Sequence, residues 1–321
     1  MSKLKVGVLR GGPSPEYDVS LLSGANVLRN MPSHFCAIDI PITKEGVWHM
    51  SGVPVSPAFA SRNIDVFFNA LHGEYGEDGK IQHILKQLGR PHTGSNTLPS
   101  AISMAKHLSK ERYYKHGLQT PTGRVIRNID KIDKIADEIT ESMPSPWVVK
   151  PTNAGSSIGV SITKDYDELF TALLQAFTYS DSVLVEEYIE GREATCCVIE
   201  HSDGAPYALP AIEIIPPVKD GFFDYEVKYN GQTREICPGN FSKVEMGQIM
   251  NSAAKAHEVL ELSHYSRSDF IVSSTRGVLI LETNSLPGLT EESLIMKALK
   301  PVGTSFTDFL DHTINLAHTR K

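Results

Sequence analysis

The sequence predicts an α/β fold: an N-terminal open, mostly parallel sheet domain followed by two further strand-bearing units. Three observations predict it. Leu4 to Arg10 is a short apolar strand that ends at Gly11-Gly12 and runs into a helical pattern through Val27 and Leu28, the strand–turn–helix opening of a nucleotide-type fold. Ile64 to Leu71 is a second buried strand, and it stops at the polar loop His72-Gly-Glu-Tyr-Gly-Glu-Asp-Gly79. In open α/β sheets ligands sit beyond such carboxyl ends. From Trp147 onward short strands recur, down to the paired runs Ser266 to Val272 and Val278 to Leu281.

A chain of 321 residues, 40% hydrophobic and 21% charged, has room for two or three cores. The formal net charge is -7 and no Lys/Arg run forms a patch for a phosphate backbone. That excludes nucleic acid as a partner but leaves a nucleotide pocket open, since a pocket needs only a few local cations. No apolar run approaches the ~18 residues of a membrane span, and Val6 to Leu9 is too short for a signal peptide. Cys36, Cys196, Cys197 and Cys237 lack metal-ligand spacing and fit free thiols in a reducing cytosol. Adjacent Cys196 and Cys197 should point to opposite faces of a strand.

Taken in order, the Gly11-Gly12 turn lacks the G-x-G-x-x-G pattern of dinucleotide folds, although the helix start can still hold an anion or a substrate group. Glu16, just before it, reads either as a neutraliser of a substrate ammonium or as a helix-capping acid. Phe35 to Ile42 is a strand that turns through a hairpin at Trp48. His72 reads as a carbonyl-bonded structural histidine or as a substrate contact. Ile81 to Leu88 is a helix, Pro91 to Ser95 a turn or short strand, and Ser100 to His116 one longer helix carrying Lys106.

Trp147 to Lys150 is a strand that ends in a cation, followed by the small-residue loop Pro151 to Val160 with Gly155, Ser156 and Ser157. This is a phosphate-covering hairpin or a plain surface hairpin, and it lacks P-loop spacing. A helix from Tyr166 to Phe177 leads to the strand Val183 to Ile189, which carries Glu186 and Glu187 and precedes Glu193. Adenine suits an apolar slot with backbone partners, and ribose suits a carboxylate. Ala194 to Glu200 and Tyr207 to Ile215 are strands, and Asp220 to Gly231 is a long aromatic loop of lid length. Lys243 to Leu260 is a helix, and helices over Glu291 to Ala317 close the chain.

Between them lies the most chemical stretch. Arg267 and Asp269 are two apart on one strand, Glu282 and Asn284 two apart on the next, so each pair leaves a single face. If the strands are antiparallel neighbours, Asp269, Glu282 and Asn284 converge as a hard-oxygen set of the kind Mg²⁺ uses beside nucleotide phosphates. The competing reading is two edge strands with solvated acids.

These segments together resemble the ATP-grasp enzymes, and within them the D-alanine–D-alanine ligases, over nearly the whole chain. The resemblance is carried by Gly11-Gly-Pro-Ser-Pro-Glu16 with Val19-Ser20, and by Ala70-Leu-His-Gly73 with Gly76-Glu-Asp-Gly79. It continues through Val149-Lys-Pro151 with Gly155-Ser-Ser-Ile-Gly159, and Asp224-Tyr-Glu-Val-Lys-Tyr229. Arg267-x-Asp269, Leu281-Glu-Thr-Asn284 and Pro287-Gly288 complete it. The resemblance implies an ATP-grasp fold with a substrate domain over 1–104, a central unit over 105–190 and a catalytic unit over 191–321, ATP being clamped between the last two.

It also implies roles. Lys106, Lys150 and Lys228 would neutralise phosphates, and Glu186, Glu187, Ile189 and Glu193 would line the adenine and ribose side, Glu187 and Ile189 through backbone atoms. Asp269, Glu282 and Asn284 would hold two Mg²⁺, or Mn²⁺. Glu16 and His72 would hold the first D-alanine, and Ser293 with the Leu294 N–H the second. Arg267 and the Gly288 N–H would serve the oxyanion, and Ser156, Tyr229 and Glu16 would bond across a closed lid. The implied activity joins two D-alanines through an acyl phosphate for peptidoglycan synthesis, in a cytoplasmic homodimer. Tyr229 favours D-alanine over D-lactate as second substrate. Four residues depart from the family pattern: Ala105, His264, Ser268 and Met296. They keep open another carboxylate–amine ligase with a different amino acid. A non-catalytic nucleotide-binding module is the remaining alternative.

Overall fold

The computed structural model describes residues 3–127, 129–153, 159–216 and 233–319. Strands β1 (Leu4–Gly11), β2 (Phe35–Ile42), β3 (Trp48–Met50), β4 (Val53–Val55) and β5 (Val66–Asn69) form the first sheet, in the order β4-β3-β2-β1-β5. Its centre is parallel, β1 pairing with β2 and β5, and an antiparallel hairpin extends one edge. Val6, Val8 and Leu9 of β1 and all of β5 are buried, as strands covered on both faces require. Helices α1 (Tyr17–Arg29), α2 (Pro57–Ser61) and α3 (Lys80–Gln87) pack on it. The turn after β1 needs glycine, because Gly11 has φ +86° and a Cβ there would lie 2.4 Å from the Ile42 carbonyl oxygen.

The expected helix over 100–116 is two helices, α4 (Thr97–Met104) and α5 (Lys106–Lys115), broken at Ala105 with ψ 92°. The break lets the Lys106 N–H leave the helical ladder and donate to the Thr152 carbonyl at 3.1 Å. It also turns the buried face of α5, with Lys106, Ser109, Lys110 and Tyr113, toward the later domains.

Strands β6 (Gly123–Ile126), β7 (Trp147–Pro151), β8 (Ser161–Thr163) and β9 (Val183–Glu187) form a fully antiparallel sheet in the order β6-β9-β7-β8. Helices α6 (Ile132–Ser142) and α7 (Tyr166–Phe177) cover one face around Ile126, Ala136, Val149, Leu169, Leu173 and Val185. The Asp165 side chain caps α7 by accepting from the Glu168 N–H.

The third sheet contains β10 (Arg192–Glu200), β11 (Pro206–Ala208), β12 (Ile212–Ile215), β13 (Arg234–Ile236), β14 (Tyr265–Ser273) and β15 (Gly277–Asn284). Its order is β13-β12-β10-β14-β15, with β11 beside β10. The strand expected over 207–215 is thus two strands, and Pro210, which has no N–H to give a ladder, lies between them. Helix α8 (Lys243–Val259) starts at a capping box of Ser242 and Glu245. Helices α9 (Leu294–Leu299) and α10 (Phe306–Thr319) end the chain.

This sheet has a core on each face. Cys196 joins Phe270, Ile280 and the α8 residues Ile249 and Ala253, while Cys197 joins Val27 and Phe68 of the first domain with Leu289, Ile295 and Phe309. Burial pushes the Cys197 thiol up to about 12 and raises that of Cys196 well above the ordinary range, so neither is a nucleophile at neutral pH. Among the described residues, no helix is long and apolar enough to cross a membrane.

Candidate active site

β14 and β15 are antiparallel neighbours, with Arg267 opposite Asn284 and Asp269 opposite Glu282. All four side chains therefore share one face. A β-bulge between Asp269 and Phe270 sets Phe270 opposite Ile280, leaving Leu281 as the extra residue. Strict alternation would put Ile280 on the same side as Glu282. The bulge instead sends Ile280 into the α8 core and leaves Glu282 on the polar face.

Asp269 accepts two bonds from the Arg267 guanidinium, at 2.9 and 2.8 Å, and one from Thr195 Oγ1 at 2.6 Å. Burial alone would lower the Arg267 pKa, but the Asp269 carboxylate outweighs it and holds the guanidinium firmly protonated. Glu282 Oε2 lies 3.1 Å from Lys106 Nζ, and Asn284 Oδ1 accepts from the Leu286 N–H at 2.7 Å. Among the described residues no group of three or more His, Cys, Asp or Glu side chains is arranged to hold a metal, so a cation here depends on the Asn284 amide oxygen as third donor. Three hard oxygens on a half-exposed face fit a divalent oxygen-seeking ion. Thr195, invisible to sequence reasoning, lies opposite Asp269 on β10, and Glu193 is two residues along the same strand face.

The next group is cationic. Glu186, 1% exposed on β9, is shared by Lys150 of β7 and Lys110 of α5. Burial would raise the Glu186 pKa, but the two ammonium groups outweigh it and keep the carboxyl below its usual range. Burial brings Lys110 down to about 8 despite that carboxylate. Lys110 also donates to Thr120 Oγ1 at 2.6 Å. Lys106 and Lys150 are among the residues expected from the sequence; Lys110 is not, although its spacing of four from Lys106 puts both on one helix face. The Glu187 side chain is held by Arg276 Nη1 at 2.7 Å and the Thr122 N–H at 2.8 Å. Ile189 follows β9 and is half-buried.

The carboxyl ends of β1 and β5 meet in the third group. Glu16 occupies the N-cap position of α1 without a side-chain capping bond, so as a capping acid it acts there through its charge alone. Its side chain turns to Gly73, where a Cβ would lie 2.6 Å from Glu16 Oε2. Ser14 Oγ donates to the His72 carbonyl at 2.7 Å and accepts from the Glu16 N–H at 3.1 Å, fixing the two loops together. His72 is 4% exposed, its Nε2 2.8 Å from Ser23 Oγ and its Nδ1 3.8 Å from Glu77 Oε1. Burial raises the Glu77 pKa against the pull of His72.

Beyond β15, Gly288 lies beside Ser293: a Cβ at Gly288 would be 3.2 Å from Ser293 Oγ. Ser293 Oγ also bonds Thr290 Oγ1 at 2.9 Å, and Leu294 begins α9. Ser156, Lys228 and Tyr229 lie outside the described residues, as do residues 154–158 of the Pro151 to Val160 loop and all of Asp220 to Gly231.

Three of the four departing residues acquire a physical setting. Ser268, fully buried, bonds Thr283 Oγ1 at 2.8 Å, and Tyr113 donates to the same oxygen at 2.7 Å. His264 adopts φ 67° and accepts the Gly94 N–H at Nδ1, joining the first and third sheets. Met296 packs in the core shared with the first domain. Nothing in the structure explains why alanine stands at 105.

Comparison with known proteins follows the same lines. A family model described as the D-ala D-ala ligase C-terminus matches residues 116–315, and one for the N-terminus matches 49–95. A D-alanine–D-alanine ligase of Syntrophobacter fumaroxidans is 40% identical over 320 residues, covering 98% of each chain. One of Geobacter sulfurreducens is 38% identical over 313 residues, covering 97% of this chain and 93% of that protein. Among solved structures, the VanG D-Ala:D-Ser ligase of Enterococcus faecalis superposes with a TM-score of 0.88 at 29% identity, covering 98% of this chain and 99% of that one. The D-alanine–D-alanine ligase of Coxiella burnetii gives 0.86 at 26% identity, covering 100% and 95%. With strand register, cation cluster and similarity along the whole chain in agreement, the protein belongs to the D-alanine–D-alanine ligase family.

Proposed function

We propose that this chain joins two D-alanine molecules into D-alanyl-D-alanine at the expense of ATP, supplying a peptidoglycan precursor. The observation that carries the reading is the shared face of β14 and β15. Arg267, Asp269, Glu282 and Asn284 stand there together, and Lys106 reaches Glu282 from α5. On this reading ATP lies between the central sheet and the third sheet, with Lys106, Lys150 and Lys228 against its phosphates. Glu186, Glu187, Ile189 and Glu193 line its nucleoside side. The Glu187 side chain is engaged by Arg276 and Thr122 and its N–H donates to the Thr122 carbonyl, so on this reading it is the Glu187 carbonyl oxygen that meets adenine.

Asp269, Glu282 and Asn284 would hold two Mg²⁺, or Mn²⁺. When bound, such ions neutralise charge on the transferred phosphoryl group. Glu16 and His72 orient the first D-alanine so that its carboxylate oxygen attacks the γ-phosphorus and ADP leaves; such transfer needs alignment and charge compensation above all. Ser293 and the Leu294 N–H hold the carboxylate of the second D-alanine. Its neutral amine attacks the acyl phosphate carbonyl, the oxyanion is met by Arg267 and the Gly288 N–H, phosphate leaves, and the amine loses a proton. Ser156, Tyr229 and Glu16 close the lid by hydrogen bonding. The division into 1–104, 105–190 and 191–321, a homodimeric state and a cytoplasmic location belong to the same proposal.

The test is incubation with ATP, Mg²⁺ and D-alanine, with ADP, phosphate and dipeptide measured by mass spectrometry. Absence of dipeptide across a range of pH and salt overturns the reading. The superposition on a D-Ala:D-Ser ligase gives a second reading, a different second substrate. D-serine, D-lactate and other amino acids belong in the same panel, and strong preference for one of them would favour it.

A further inference from the structure

α1 buries an unusual set of polar residues. Ser23 is fully buried and Asn26 is 4% exposed, and they are three apart on the face turned toward the third sheet. Both reach across the domain boundary to one residue. Ser23 Oγ accepts the Leu289 N–H at 3.2 Å, and Asn26 Nδ2 donates to the Leu289 carbonyl at 2.8 Å. The amide of Asn26 is itself oriented, because its Oδ1 accepts from Asn30 Nδ2 at 2.9 Å. Leu289 is fully buried in the core that α1 shares with the third sheet. Two bonds and a buried side chain hold the peptide units on both sides of it. The Leu289 N–H belongs to the peptide that follows Gly288, so its anchoring fixes the glycine from one side.

The same Ser23 hydroxyl lies 2.8 Å from His72 Nε2. A hydroxyl has one proton and two lone pairs, so Ser23 Oγ can take the Leu289 N–H and still bond His72 Nε2, while Nδ1 on the other side of the ring faces Glu77. One side chain thus touches both halves of the proposed chemistry: the histidine at the first substrate and the loop that carries the oxyanion donor.

We propose that Ser23 and Asn26 are positioning residues that clamp the Gly288–Leu289 segment to α1, and that Ser23 locks this segment to His72. First-substrate contact and oxyanion donor then keep a fixed separation through both chemical steps. The inference rests on the ligase reading for its kinetic consequence but not for the clamp itself.

The experiment uses the full chain with Ser23→Ala, Asn26→Ala, His72→Ala and the Ser23→Ala/His72→Ala double variant. The expected result for Ser23→Ala is a fall in kcat of about tenfold, the worth of one hydrogen bond of roughly 1.4 kcal/mol. KM for ATP stays within about twofold, since the nucleotide residues are elsewhere. The double variant loses less than the product of the single losses, because both changes act on one contact. Dipeptide formation by the parent protein with an unchanged Ser23→Ala kcat, or an additive cycle, overturns the coupling. Hydrogen exchange of a peptide spanning Leu286 to Ser293 needs no turnover: Ser23→Ala with Asn26→Ala should speed it while the melting transition of the first sheet is retained. Unchanged exchange overturns the clamp even in a protein that ligates nothing, and a parent protein that forms no dipeptide with faster exchange in the variant overturns only the ligase reading.

Discussion

Replacing Lys110 by methionine should change how stability responds to alkali. The ammonium group is almost wholly buried, and burial moves its pKa from the ordinary 10.5 to about 8 even beside Glu186. Below pH 8 the lysine is protonated in the folded and unfolded chain alike, and the folded state carries the full cost of the buried charge. Between pH 8 and 10.5 the unfolded chain still binds the proton and the folded chain does not, so raising the pH favours folding. At 1.36 kcal/mol per pKa unit the whole effect is roughly 3 kcal/mol. Between pH 7.5 and 9.5 the protein should gain roughly 2 kcal/mol from this group alone. Lys110→Met keeps much of the side-chain volume and leaves Glu186 paired with Lys150, and it removes the titration. The measurement is urea unfolding of both proteins without nucleotide at the two pH values. Taking the difference cancels the other lysines and the thiols, whose ionisation acts in the same range. A parent-minus-variant difference that stays flat, or falls, would refute the assignment of Lys110 as a buried, destabilised cation.

Glu282→Ala and Asn284→Ala should each abolish turnover with an unchanged circular dichroism spectrum, since a hard-oxygen donor is lost; near-normal kcat at ordinary Mg²⁺ would remove that residue from the metal site. Gly73→Ala should raise KM for D-alanine at least tenfold while KM for ATP holds, because a Cβ at φ +69° would meet Glu16 Oε2 at 2.6 Å. In the native state an aromatic disulfide reagent should label exposed Cys36 rapidly, whereas Cys196 and Cys197, both fully buried, should react only on unfolding.

Local patterning located most elements. The strand over Phe35 to Ile42 and the helix over Tyr166 to Phe177 fall where periodicity puts them, because a single face of each is apolar and their ends carry clear turn or cap residues. The break at Ala105 has no local signal, since neither glycine nor proline marks it; the Lys106 N–H there bonds Thr152, forty-six positions away. β6 and α6 lie in a stretch that the motifs did not reach. Of the candidate site, the side-chain pairs on β14 and β15 were legible because period-two spacing needs only one assumption, that the strands are neighbours. Ser23, Asn26, Thr195 and Lys110 were not legible. Serine and asparagine inside a helix give no local signal of purpose, and the partner of Asn26 lies 263 residues away.

Cys196 and Cys197 stand back to back between two separate apolar cores, one shared with the first domain and one with α5 and α8. A layer gripped on both sides cannot slip past either neighbour without wetting aliphatic surface, so the first and third units should travel together. The central sheet carries its own oily filling and is moored to its surroundings by contacts of another kind, Lys110 to Glu186, Arg276 to Glu187 and the Lys106 amide to Thr152. Unmooring it exchanges ionic and amide partners for water or for nucleotide. Any widening of the gap for an incoming triphosphate therefore falls to that flap.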